Sequence, residues 1–352
     1  RAHPMMYLMG DLFKLHDKSK FTIYLYSFVK NEDKYTEIAK ESGCIFRNIN
    51  ELNDNEVVEL ARKDKLDIAI DRMGYVHGNR MNIFSYRVAP IQINYMAYAG
   101  TLGANNIDYI IADHIVIPKG YERFYSEKIV RMPNSYIPNS YHSNYKHREI
   151  NKETISRKDF NLPEKGFVFT CFCANKKITQ KEFDIWMRLL RKIDGSVIWL
   201  YISNPYSIKN LINEAKKRNV DKNRLIFAES LPFKKHLARH VLGDLGLDTF
   251  NYNGHTTTSD ALWSGLPVLT KIGESFSARV SASMLSSMGI NELITYSDKE
   301  YEEKALNIAR NPEKLISLKL KIKKSRENSS FFNTKLYTQD LENKFKKLAK
   351  YD

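Results

Sequence analysis

The 352-residue sequence predicts an α/β protein built of two doubly wound domains. Three observations predict it. Short β-branched runs alternate with segments of helical period, the alternation occurs twice along the chain, and the length exceeds the roughly 250–300 residues at which one hydrophobic core stops growing. A composition of 43% hydrophobic and 27% charged residues is that of a folded globular chain and excludes disordered and collagen-like classes.

In the first half, residues 21–27 read as a strand, 33–41 as a helix and 55–63 as a helix begun by Asp54, with strands following at 66–70, 91–96 and 107–111. Between 134 and 158 the composition turns to Asn, Ser, His and Tyr around Pro138, which reads as linker. The expected division is therefore 1–145, then 155–330, then a C-terminal helix in 331–352. In the second domain, strands at 167–173, 197–202, 224–228, 245–249 and 267–270 alternate with helices at 180–193, 207–218, 234–242, 256–263 and 277–288. Ligands of such sheets bind beyond the carboxyl ends of the strands, so the loops after Cys173, Ala228 and Thr249 are the places to look.

The formal net charge is +14, and residues 301–352 carry 13 Lys and Arg against 7 Asp and Glu, around Lys319, Lys321, Lys323 and Lys324. A solvated helix face is expected there. No basic stretch is interleaved with aromatics as a single-strand stacking platform would be, so nucleic acid is not expected as a partner. No apolar run nears the ~18–20 residues of a membrane span, and no leader with a cleavage site opens the chain, so a cytoplasmic protein without a membrane partner is expected. The cysteines, Cys44, Cys171 and Cys173, are three, an odd number, and offer neither a disulfide framework nor a zinc knuckle. The sequence opens at Arg1 on a helix-like segment with no strand before it, and a preceding segment is expected.

The most informative stretch is 248–265, DTFNYNGHTTTSDALWSG, where an apolar strand passes through Gly254 into three threonines at a helix start. Unpaired N–H groups and the positive dipole end of that helix would hold a phosphate. His255 adds a polar group, and Asp260, one turn in, can accept from a ribose hydroxyl. In a second loop, Asn175, Lys176 and Lys177 follow the strand, and the two lysines are a cation pair able to meet a diphosphate. On a third element His236 and Arg239 stand at i, i+3, with His240 next, able to flank a base.

These residues carry a resemblance. GHTTTSDALWSGLPVLT (254–270) and GESFSARVSASML (273–285), with HPMMYLM (3–9), DRMGYVHGNR (71–80), APIQINYMAYAGTLGANNIDYIIAD (89–113) and YSEKIVRMP (125–133), resemble the catalytic region of the O-linked N-acetylglucosamine transferases and their SPINDLY-like relatives, glycosyltransferase family 41. The resemblance implies a GT-B fold, two Rossmann-like domains facing across a cleft, with 1–145 on the acceptor side and 155–330 binding the nucleotide sugar. It implies an inverting transferase that moves N-acetylglucosamine from UDP-GlcNAc to Ser or Thr of a protein or peptide acceptor. It also implies N-terminal helical repeats in the segment expected before Arg1.

By position, the resemblance places Lys177 on the donor diphosphate and His255, Thr256 and Thr257 in the phosphate-binding turn. It places Asp260 on the ribose, His236 and Arg239 beside the base, and His3 on the acceptor side as a candidate base. Ala174 and Lys176 stand where the mammalian enzymes carry Gln and Tyr, and Phe233 where they carry Lys, so GDP-fucose and UDP-glucose stay open as donors. His255 and Asp260 favour UDP-GlcNAc. No two aspartates are separated by one residue, so no metal and no cofactor are expected. A non-catalytic basic module for nucleic acid or an acidic partner is the other class of reading; it would have no need of the nucleotide set around the Thr turn.

Overall fold

The computed structural model describes residues 3–141, 155–202 and 204–350. The chain forms two compact units, Arg1–Ser143 with Ser330–Asp352, and Asn144–Ser329.

The first unit runs α1 (Pro4–Leu15), β1 (Tyr24–Ser27), α2 (Lys34–Lys40), β2 (Ile45–Asn48), α3 (Asp54–Asp64), β3 (Ile68–Asp71), α4 (Asn82–Ser85), β4 (Ile91–Asn94), β5 (Tyr109–Ala112) and β6 (Lys128–Arg131). Its strands pair in parallel as β1-β2 and as β3-β4-β5-β6. Asn53, not Asp54, caps α3: its side chain accepts from Glu56 N–H while Glu56 reaches back to Asn53 N–H. Val57, Val58 and Ala61 on that helix pack with Ile49, Ala69 and Ile83. Strands β2 and β6 were not anticipated, since IFRN and KIVR place Arg and Lys in half-exposed strands and lack the apolar run that marks a central one.

Part of the expected linker turns out to be interior. Residues 142–154 lie outside the described residues, but Ser135–Tyr141 is buried. Several of its polar groups are engaged by remote partners: Ser140 Oγ donates to Leu8 O at 3.0 Å and accepts from Asp11 N–H at 3.1 Å. The C-terminal helix, Thr334–Ala349, belongs to this unit and does not stand apart. Thr334 Oγ1 donates to Asn139 O at 2.7 Å, and the Tyr337 hydroxyl donates to Tyr136 O at 2.5 Å. Farther along, Glu342 accepts from Asp17 N–H at 2.8 Å and lies 3.0 Å from His16 Nδ1. Asn and Ser signalled a linker in sequence because they are rarely buried; here their partners, 130 to 200 residues away, make burial tolerable.

The second unit is a six-stranded parallel sheet of β7 (Val168–Cys171), β8 (Val197–Tyr201), β9 (Leu225–Ala228), β10 (Leu245–Leu247), β11 (Val268–Lys271) and β12 (Ile294–Thr295). Its helices are α5 (Gln180–Lys192), α6 (Tyr206–Lys217), α7 (Phe233–Arg239), α8 (Thr256–Trp263), α9 (Val280–Ser287), α10 (Asp298–Arg310) and α11 (Pro312–Asn328). The spatial order is β12-β11-β10-β7-β8-β9. The chain winds outward from β7 to β9, then returns to the other side of β7 and winds outward again, the Rossmann order. Lys323 and Lys324 lie exposed on α11, while Lys319 Nζ turns in to Gly243 O at 3.1 Å. Among the described residues no helix is long and apolar enough to cross a membrane.

Glu342 tests the C-terminal clamp. Glu342→Ala strips the acceptor from Asp17 N–H and His16, so denaturant unfolding should show a loss of about 1–3 kcal/mol; an unchanged midpoint would show that the clamp contributes nothing.

Candidate functional site

Strand order reverses between β7 and β10, so the loops after these two strands leave the same edge of the sheet side by side. The loop after β7 ends in a tight turn, Asn175–Lys177; the loop after β10 leads into α8.

The β10 loop is shaped from below by Asp248, which is 2% exposed. Its Oδ1 accepts from Thr249 N–H at 2.9 Å and Gly254 N–H at 2.7 Å, and its Oδ2 accepts from Thr270 Oγ1 at 2.7 Å. Burial pushes the carboxyl above its ordinary range, while these donors and Lys177 pull the other way. Asn253 stiffens the loop further, donating Nδ2 to Thr249 O at 2.7 Å and its N–H to Ser277 O at 2.9 Å. Gly254 is required by crowding: a Cβ there would lie 2.5 Å from Thr258 Oγ1 and 3.2 Å from Cys173 Sγ.

The loop delivers α8 with its first turn open. His255 is the N-cap residue and makes no capping hydrogen bond, whereas Asp33, Asn53, Ser297, Asn311 and Asn333 cap their helices. The leading N–H groups of α8 thus point out of the helix with the positive end of its dipole. The His255 Nε2 atom is buried and without a hydrogen-bond partner. Burial first, then the charge of Lys177, depress its imidazole to about 3 against an opposing bond to the Ser277 backbone, so the ring is neutral. Lys177 Nζ approaches from the β7 loop, donating to Asn253 O at 2.9 Å.

A second cluster sits on α7. Arg239, 2% exposed, lays its guanidinium 4.4 Å from the Phe172 ring centre and donates Nη1 to Glu229 O at 2.7 Å. Burial lowers it to about 10, which leaves it charged. Its Nη2 lies 2.7 Å from His236 Nδ1. A guanidinium only donates, so Nδ1 accepts and the neutral ring carries its proton on Nε2. That Nε2 lies 3.7 Å from Asp260 Oδ2 and 3.4 Å from His240 Nε2. The i, i+3 spacing of His236 and Arg239 therefore orients one by the other, and α8 links Asp260 to the turn at His255.

Of the residues singled out in the sequence, Lys177, His236, Arg239, His255, Thr256, Thr257 and Asp260 come together in this one unit. His3 is not among them: it lies in the first unit, exposed, where its Nδ1 accepts from Met5 N–H at 3.2 Å and caps α1. Sequence reading missed Asp248, Asn253 and Tyr252, although all three lie inside the quoted stretch. The signal available for Asp248 was an acid ending an otherwise apolar strand.

Fold and site define a doubly wound α/β protein whose β7 and β10 loops meet at the point where strand order reverses. The chain belongs to glycosyl transferase family 41, which residues 1–155 and 151–341 match, and its fold is GT-B. It is similar to the probable UDP-N-acetylglucosamine–peptide N-acetylglucosaminyltransferase SEC of Arabidopsis thaliana, at 31% identity over 98% of this chain and 36% of that protein. It is also similar to the UDP-N-acetylglucosamine–peptide N-acetylglucosaminyltransferase of Caenorhabditis elegans, at 24% identity over 97% of this chain and 39% of that protein. The chain thus spans little more than a third of the curated relatives it matches. Among solved structures, a mutant of the Thermobaculum terrenum O-GlcNAc transferase superposes with a TM-score of 0.91 at 26% identity, covering 99% of this chain and 65% of that one. Anabaena HepE, solved with UDP and glucose, shares the fold at a TM-score of 0.58 and 11% identity, over 96% of this chain and 95% of that one.

The crowding at Gly254 is testable. Gly254→Ala should cost about 1–3 kcal/mol in denaturant unfolding, and the double variant with Thr258→Ala should cost less than the sum because the obstructing Oγ1 is gone. Strict additivity would show that the new methyl meets something else.

Proposed function

We propose that this chain is the catalytic part of an inverting, metal-independent transferase that moves N-acetylglucosamine from UDP-GlcNAc to Ser or Thr hydroxyls of a protein acceptor. The observation that carries the reading is the uncapped start of α8, with the unpartnered His255 Nε2 and the Lys177 ammonium beside it, at the reversal of strand order. The α8 amides and the Lys177 ammonium are the donors that a diphosphate requires, and His255 stands beside them as a neutral ring. The relatives named above as UDP-N-acetylglucosamine–peptide transferases support the choice of donor and acceptor.

In this mechanism the acceptor oxygen attacks the anomeric carbon as the bond from that carbon to the β-phosphate oxygen breaks, and UDP leaves with the bonding pair. Lys177, the Thr256 and Thr257 amides and the dipole of α8 oppose the charge that grows on the leaving oxygens. They are preorganised: Asp248 fixes the loop, so no reorientation is needed as charge develops. Asp260 accepts from the ribose hydroxyls, with His236, oriented by Arg239, beside it. The acceptor proton goes to His3, to a donor phosphate oxygen or to water; at His3 the nitrogen that takes it would be Nδ1, released from Met5 N–H, since a neutral ring whose Nδ1 accepts carries its proton on Nε2.

Calorimetric titration with UDP and GDP tests the donor: UDP should bind at least about tenfold tighter, and a preference for GDP would move the reading to a GDP-sugar. Lys177→Ala should lower turnover by about 10²–10³-fold while changing UDP affinity far less, because the group acts on charge that peaks in the transition state. Equal turnover would remove Lys177 from the mechanism. Transfer should also survive EDTA; loss on chelation with recovery on Mg²⁺ or Mn²⁺ would overturn metal independence.

A further inference from the structure

A single aromatic ring joins the two groups placed on the diphosphate. Tyr252 lies in the loop between β10 and α8. Lys177 Nζ sits 4.2 Å from the centre of its ring, and the His255 imidazole stacks on it with centroids 4.7 Å apart and planes 23° apart. A ring face attracts a cation through its quadrupole, and a neutral imidazole stacks on it without charge penalty. Both neighbours are thus held by one side chain.

The loop does not need that ring to keep its path. Thr249 Oγ1 donates to Tyr252 O at 2.6 Å, and Asn253 is fixed through its own side chain and N–H. Tyr252 is 37% exposed, so truncating its side chain opens no closed cavity. A contribution from Tyr252 would therefore pass through what the ring touches.

We propose that Tyr252 is a positioning residue for transfer, acting mainly through Lys177: its ring keeps the ammonium beside the start of α8 and keeps the His255 imidazole in plane. The proposal rests on reading the crevice as the diphosphate site. Lys177 has a backbone carbonyl, Asn253 O, as its hydrogen-bond acceptor, and the ring supplies the lateral restraint that a single acceptor at the end of a long flexible side chain does not.

The test is a variant cycle on the whole chain, reading kcat, KM for the donor, Kd for UDP and Tm. Tyr252→Leu should lower kcat by about tenfold with UDP Kd changed less than about twofold, and Tyr252→Phe should keep the wild-type kcat because the ring face remains. In the Lys177→Ala background, Tyr252→Leu should cost no more than about threefold, since its main route is already cut. An unchanged kcat in Tyr252→Leu, a loss in Tyr252→Phe, or a tenfold loss that persists undiminished without Lys177 would each overturn the role. If the wild type binds no UDP, the proposal falls with the reading of the site; if it binds and turns over normally and only the Tyr252 outcomes fail, the site stands and this role alone is lost.

Discussion

The β10 loop and the start of α8 depend on one buried carboxylate. Asp248 directly follows β10 and converts three donors, Thr249 N–H, Gly254 N–H and Thr270 Oγ1, into a single hub. Desolvation alone would make an acid there unfavourable, and it does raise the group; the donors compensate by bonding to its charged form. The hub turns the chain back within a few residues and aims α8 with its N-terminus toward the β7 loop. Without it, neither the open N–H groups of that helix nor His255 would be held against Lys177. Tyr301 adds to the hub from α10, its hydroxyl donating to Asp248 O at 3.2 Å.

The cluster on α7 follows a different logic, in which polar groups hold one another. Arg239 is buried among Phe172 and Trp199 and spends its charge on Glu229 O and His236 Nδ1. That contact sets the tautomer of His236 and so decides that a proton, not a lone pair, faces Asp260. Burial, aided by His236 and Arg239, pushes His240 well below its ordinary value, so it faces His236 as a neutral ring. Arg239 thus orients the His236 ring, whose Nε2 stands 3.7 Å from Asp260 Oδ2, too far for a hydrogen bond. Both ends of the site are thus prepared by second contacts away from the crevice.

Much of this was legible in the sequence, for physical reasons that also explain the rest. Helix 256–263 was placed to the residue, because Gly254 and the threonines mark its start and Ser264-Gly265 its end. The second unit's strands were legible since central parallel strands are apolar throughout; β2, β6 and β12 are short edge or half-exposed strands and carry no such signal. The segment Ser135–Tyr141 was misread as linker because its composition is polar, and the partners that allow its burial, Leu8, Asp11 and Thr334, are remote in sequence. Within the site, residues that would touch a ligand directly were visible by type and spacing. Asp248, Asn253 and Tyr252 act on other side chains and on backbone, and pairings of that kind exist only once the loop is folded.

Whether the crevice formed by the β7 loop, α7 and the start of α8 receives a uridine diphosphate is decided by an NMR titration of the histidine ring resonances of the whole chain with UDP. His236 and His255 should shift saturably with one common Kd while His16, buried against Glu342 in the first unit, stays in place. Unmoved resonances at His236 and His255 under concentrations that saturate binding would contradict that placement of UDP.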